Sequence, residues 1–184
     1  AHRDMMIDSL TGVWNRRGLE ELLAREMTSS RIKGGSAGVF MLDIDHFKQV
    51  NDTHGHLIGD KVLQNIAAIM SSCLRDHDIV GRFGGEEFVC VLPGIRLEQT
   101  MYLGYKLCNA VRDQCRVSDM DGNAVSITVS VGATWISSET TDLYEPLDVL
   151  RIADEALYEA KESGRDTVRY RALDSHGSLD DLKG

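Results

Sequence analysis

Two short apolar runs, Ile79-Val80 and Phe88-Val89-Cys90-Val91-Leu92, are separated by Gly81-Arg82-Phe83-Gly84-Gly85-Glu86-Glu87. Runs of this length around paired glycines read as two strands of a β-hairpin, because glycine accepts a tight turn or a close backbone approach without a Cβ penalty. Two adjacent carboxylates follow the glycines at once. Glutamates beside a turn are ordinarily just solvated, so their role depends on what the rest of the chain brings to them.

Val39-Phe40-Met41-Leu42 is apolar throughout and too short for a helix, which predicts a strand buried on both faces at the centre of a sheet. It delivers Asp43 and Asp45. Alternation places both on one face, with Ile44 opposite. Like charges held close on a buried strand repel unless a cation neutralises them, and a divalent metal is the usual answer. The plainer alternative is that one of them caps the following turn.

The stretch from His46 to Asp60 is dense in glycine and hydrogen-bonding side chains, too polar for a core and too organised for a linker. A helix is predicted from Asp60 to about Leu74, with Val62, Leu63, Ile66, Ala67, Met70 and Leu74 on one face and Asp60 at its N-terminus. Asp60 is there either as a cap or, with Asn51, as a reader of a purine edge. His54 and His56 lack helical zinc-ligand spacing.

Further helices are expected from Gly18 to Met27, Leu97 to Cys115, and Leu147 to Ala160, the last ending at Lys161 with Gly164 as its C-cap. Lys161 there favourably faces the helix dipole. Val125 to Val131 alternates strictly, predicting a strand with one apolar and one polar face, and Thr167 to Tyr170 reads as a short edge strand.

With 184 residues and 42% hydrophobic content, one domain with a real core is expected. A net charge of −9 argues against nucleic acid or an anionic membrane surface as the main partner. No apolar run reaches membrane-spanning length, and the N-terminus shows no signal-peptide pattern. Cys73, Cys90, Cys108 and Cys115 show no CxxC spacing, so buried free thiols in a reducing, cytoplasmic compartment are expected. The chain opens with Ala1 rather than methionine and is expected to come from something longer.

Taken in order, DSLTGVWNRRGL, LDIDHFKQVNDTHGHLIGD, RFGGEEF, ITVSVGAT and ADEALYEAKESGRDTV resemble the successive signatures of the GGDEF domain, the diguanylate cyclase family. The hairpin here reads GGEEF, which keeps a carboxylate at position 86. The resemblance covers roughly residues 8 to 170. It implies an α/β (α+β) fold, a central mainly antiparallel sheet flanked by helices, similar to nucleotidyl cyclase catalytic domains and the polymerase palm. Residues 1–7 would end an N-terminal linker, 8–171 form the domain, and 172–184 make a polar, mobile tail.

The activity implied is condensation of two GTP into cyclic di-GMP with loss of two pyrophosphates. By the resemblance, Asp43, Glu86 and the main-chain carbonyl of Ile44 would hold Mg²⁺ or Mn²⁺, with Glu87 assisting. Asn51 and Asp60 would pair with guanine. Lys48, Lys161 and Arg165 would neutralise the β- and γ-phosphates, and the backbone after His46, at Phe47 and Lys48, would donate to phosphate oxygens. Gly84 and Gly85 would let phosphate lie nearly on the backbone. Glu86 is one candidate for the base.

Arg75 and Asp78 stand in an RxxD pattern, the product-binding inhibitory site of the family. A guanidinium can fork onto phosphate or guanine, and a carboxylate can take guanine N–H groups. A transient homodimer is implied because each domain would hold one GTP. Two other readings compete: a catalytically weak domain that only binds GTP or cyclic di-GMP and signals through a partner, and a palm-like nucleotidyltransferase acting on another substrate.

Overall fold

The apolar run at Val39 to Leu42 lies within β1 (Ser36–Ile44), the middle strand of a five-stranded sheet in a computed structural model that describes residues 4–173. The sheet order is β2-β3-β1-β6-β7, with β2 Ile79–Arg82, β3 Glu87–Pro93, β6 Val129–Ser137 and β7 Val168–Tyr170. All neighbouring pairs are antiparallel except β6 with β7. A separate ribbon pairs β4 (Val117–Ser118) with β5 (Ala124–Val125).

Alternation along β1 sorts its side chains into two cores. Phe40, Leu42 and Ile44 pack with Val62, Ile66 and Met70 of α3 (His56–Cys73) and Leu107 and Val111 of α4 (Leu97–Gln114). Val39 and Met41 pack on the other face with Leu19 and Leu23 of α1 (Arg16–Lys33) and Val149, Ala153 and Leu157 of α5 (Pro146–Glu162). Each fully buried leucine contributes about 2 kcal/mol of transfer free energy. The hairpin lies where expected, β2 and β3 enclosing the turn from Phe83 to Glu86.

Several boundaries differ from the expected ones. The polar stretch after Asp45 forms a helix of its own, α2 (Phe47–His54). Gly55, at φ 88°, turns the chain straight into α3, so that helix starts at His56 and Asp60 lies a turn inside it rather than at its cap. The alternating segment from Val125 is split: β5 ends at Val125, and the long strand runs from Val129 to Ser137. Its polar face is not solvated either, because α5 lies across it and leaves Ser130 and Thr134 fully buried.

Residues before α1 are tied to the hairpin. Asp4–Met6 makes a short 3-10 turn, Ile7 bridges to Trp14, and Trp14 bridges to Gly81 of β2. The expected tail from 174 to 184 lies outside the described residues. All four cysteines are free, and burial pushes the Cys108 thiol up to about 12 and Cys115 to about 11. Among the described residues no helix is long and apolar enough to cross a membrane.

Candidate functional site

The C-terminal end of β1, the hairpin turn, the start of α2 and the end of α5 converge at one edge of the sheet. Sheet register does the first part: Asp43 stands opposite Glu87 of β3 on one side and Ser130 of β6 on the other. The Ile44 N–H donates to the Glu86 carbonyl at 3.3 Å, tying the hairpin turn to β1. Arg82 braces the same turn, donating to the Gly85 carbonyl from Nε (3.1 Å) and Nη2 (2.8 Å) while its Nη1 reaches Asp8 at 3.4 Å. The Arg16 guanidinium lies 4.2 Å over the Phe83 ring.

Asp43 is only 8% exposed, and Lys161 of α5 donates to its Oδ2 at 2.5 Å. Burial holds the Asp43 carboxyl above the usual carboxylate range. The Lys161 hydrogen bond and charge oppose that shift without cancelling it, and the negative charges of Glu86 and Asp45 add to it. Glu87 is raised as well, first by burial and then by Asp43, Asp154 and Glu86. The expected crowding of like charge is therefore present, and a lysine from the far end of the chain meets part of it.

Beside these acids lies a cavity of about 340 Å³, lined by Lys48, Asn51, His56, Asp60, Arg82, Gly85 and Glu86 over Phe47 and Leu63. Asn51 and Asp60, on different helices, thus face one space. Asn51 Oδ1 is buried with no hydrogen-bond partner, which is uncommon for a buried amide unless a ligand completes it. Gly59 makes room for it: a Cβ there would collide with Asn51 Oδ1. His46, at φ 56°, precedes α2 without a side-chain cap. The leading N–H groups of α2 are left without intrahelical acceptors and, with the helix dipole, favour an anion.

The remaining predicted residues fall in three places. Gly84 and Gly85 form the hairpin turn, and Arg165 is exposed in the turn after α5, with no ion pair among the described residues. Arg75 and Asp78 sit elsewhere, in a cavity of about 330 Å³ with Ile7, Trp14 and Ser71. There they bind each other: the Asp78 carboxylate takes the Arg75 backbone N–H (2.8 Å) and its Nη2 (2.6 Å), and that Nη2 also donates to the Pro93 carbonyl.

Sequence reasoning missed the partners of Asp45, the brace from Arg82, and Asp154 beside Glu87. Among the described residues no three His, Cys, Asp or Glu side chains are grouped to hold a metal on their own.

The profile of the family described as diguanylate cyclase, GGDEF domain, matches residues 5–167. Diguanylate cyclase DgcP of Pseudomonas aeruginosa is 44% identical over 163 residues, 89% of this chain and 23% of that protein. Diguanylate cyclase DgcZ of Escherichia coli is 38% identical over 165 residues, 89% of this chain and 53% of that protein. The GGDEF domain of DgcB from Caulobacter crescentus, solved in complex with c-di-GMP, superposes with a TM-score of 0.84 at 28% identity, covering 92% of this chain and 98% of that one. The chain spans about a quarter to a half of the length of these curated relatives. This chain belongs to the GGDEF-domain family of diguanylate cyclases.

Proposed function

We propose that this domain condenses two molecules of GTP into cyclic di-GMP, releasing two pyrophosphates. The observation that carries the reading is the buried, unpartnered Asn51 Oδ1 beside a cavity that Asn51 lines together with Asp60, Glu86 and the uncapped start of α2. Guanine offers N–H donors to the Asp60 carboxylate and complementary groups to the Asn51 amide. Lys48, Lys161, Arg165 and the N–H groups at Phe47 and Lys48 then answer the β- and γ-phosphates.

The donor set fits a hard divalent cation, Mg²⁺ or Mn²⁺. Asp43, Glu86 and the Ile44 carbonyl offer oxygen only, Glu87 adds a second sphere of negative charge, and burial has left Asp43 short of compensation. Mg²⁺ takes one or two carboxylates and completes its shell with water and substrate phosphate, so this small donor set suits it. When bound, the ion lowers the pKa of a 3′-hydroxyl and offsets charge growing on the α-phosphate.

In each of two steps the 3′-oxygen of one GTP forms a bond to the α-phosphorus of the other, and the bond to the pyrophosphate oxygen breaks. The hydroxyl proton goes to a base, for which Glu86 is one candidate and a metal-bound hydroxide the other. With one guanine cavity and one cationic set per domain, the second GTP must come from a second copy, in a two-fold, isologous, transient dimer. Arg75 and Asp78 are read as the product-inhibitory site, and the free thiols are consistent with a cytoplasmic setting.

The test is incubation with Mg²⁺ and GTP, or separately ATP, over a series of protein concentrations, with products resolved chromatographically. Cyclic di-GMP from GTP alone, with specific activity rising with concentration, is expected. GTP binding without product would favour the signalling-module reading. Turnover by a species shown to be monomeric, at constant specific activity, would overturn the two-domain mechanism.

A further inference from the structure

Three consecutive residues between α5 and β7 adopt left-handed backbone: Gly164 at φ 105°, Arg165 at 63° and Asp166 at 49°. Glycine does this freely, and here Gly164 closes α5 in a Schellman turn whose long bond runs from the Arg165 N–H to the Ala160 carbonyl at 3.1 Å. Arginine and aspartate in this region carry strain, which persists only where the surroundings impose it. Asp166 is clamped from two sides. Its N–H donates to Asp45 Oδ2 at 3.1 Å, and its carboxylate takes two hydrogen bonds from Arg112 of α4, from Nε at 2.7 Å and Nη2 at 2.9 Å.

Asp45 is itself unusual. It is 6% exposed and has no cationic partner among the described residues. Thr128 Oγ1 donates to its Oδ2 and Ser130 Oγ to its Oδ1, both at 2.7 Å, so the carboxylate is pinned to the start of β6 and presents its remaining capacity to Asp166. Arg112 is held in turn by Asn109 Oδ1 at 2.9 Å. A connection between a helix and an edge strand needs nothing so elaborate. What distinguishes this one is its cargo: Arg165 is the middle residue of the left-handed run, and Lys161 lies one turn before it.

We propose that Asp45 and Arg112 are positioning residues for the phosphate-binding cations. Together they hold the Gly164–Asp166 turn in its left-handed form, which aims Arg165 and fixes the end of α5 from which Lys161 reaches Asp43. The inference rests on the reading of Lys161 and Arg165 as triphosphate ligands. It assigns Asp45 a task separate from that of Asp43: Asp45 acts on the nucleotide through the turn, without contact.

The test compares two nucleotides on the purified domain by calorimetry with Mg²⁺: a GTP analogue with a methylene bridge between the α- and β-phosphates, and GMP, which keeps the base but lacks the β- and γ-phosphates. Asp45→Asn and Arg112→Ala should weaken the triphosphate analogue about tenfold and change GMP by less than about twofold. Arg112→Lys should recover part of the loss. Arg112 is partly exposed on its helix, so its variants remain informative if Asp45→Asn fails to fold. Equal weakening of both nucleotides would reveal general loosening and overturn the inference, as would an unchanged analogue affinity in Arg112→Ala. A wild-type domain that binds the analogue no better than GMP would overturn the triphosphate-site reading itself, and the positioning role with it.

Discussion

Asp43 and Asp45 stand two residues apart at the end of one strand, both under 10% exposed, yet their surroundings are opposite in kind. Asp45 is closed off: two hydroxyls and a backbone N–H complete it, and all are fixed by β6 or by the turn before β7. Asp43 is left unbalanced, with one lysine at 2.5 Å set against burial and the charges of Glu86 and Asp45. A carboxylate saturated by neutral donors has nothing left to offer a ligand and can act only by holding its neighbours in place. One whose ionised form is still disfavoured is open to a further cation. The DxD spacing is common to both, so the distinction comes from what distant segments deliver to each oxygen.

The largest effect should come from removing charge where it is unbalanced. Asp43→Asn and Glu86→Gln are nearly isosteric, but an amide is a poor ligand for a hard cation. Each is expected to lower cyclic di-GMP formation by about 100- to 1,000-fold, the scale seen when one preorganised electrostatic contact is lost. Circular-dichroism melts should show the fold retained. Near-wild-type turnover in either variant would erase the proposed difference between the two aspartates.

Part of this contrast was legible in the sequence. Alternation predicted Asp43 and Asp45 on one face and repulsion between them predicted a cation; β1 ends at Ile44, and a cation, Lys161, meets Asp43 while Asp45 takes neutral donors instead. The identity of that cation was not legible as a contact, because Lys161 is 118 residues away and depends on how α5 crosses the sheet. The hydroxyls were misread for a related reason. Thr128 and Ser130 fall on the polar side of an alternating segment, which ordinarily faces water, but α5 lies across β6 and buries Ser130, and both hydroxyls donate to Asp45 instead. Local periodicity predicts which side chains share a face; it carries no information about what covers that face. The same limit hid the clamp from Arg112 to Asp166, 54 residues apart.

Asp78 offers a way to sharpen the comparison. Its side chain is fully buried and saturated by Arg75, so by its contacts it resembles Asp45. By its RxxD spacing and its place beside a cavity it should instead serve a ligand, the role proposed for Asp43. The two roles are compatible if Arg75 turns from Asp78 to a phosphate or guanine when product arrives, a guanidinium having five donors to share. Arg75→Ala is then expected to raise the cyclic di-GMP concentration for half-inhibition by about tenfold or more, the loss of one charge-assisted contact. A lowered melting temperature with inhibition unchanged would show that Asp78, like Asp45, touches no ligand and that the RxxD match is accidental.

The smallest expected effect tests the imbalance at Asp43 without reference to nucleotide. Its carboxyl is held above the ordinary range near 4, mainly by burial and against the pull of Lys161. A group with a raised folded-state pKa favours the fold fully while it is protonated in both states, below its unfolded value, and that contribution is lost as pH rises through the folded value. Asparagine does not titrate. The melting temperature of Asp43→Asn minus that of wild type should therefore climb as pH rises from about 4 towards 7, by roughly 2–4 °C for each kcal/mol of relieved ionisation in a domain of this size. Glu87→Gln should move in the same direction by less, since Glu87 is only partly buried. A difference that stays flat or falls with pH would mean that Lys161 already compensates Asp43, and that the two aspartates are equally saturated.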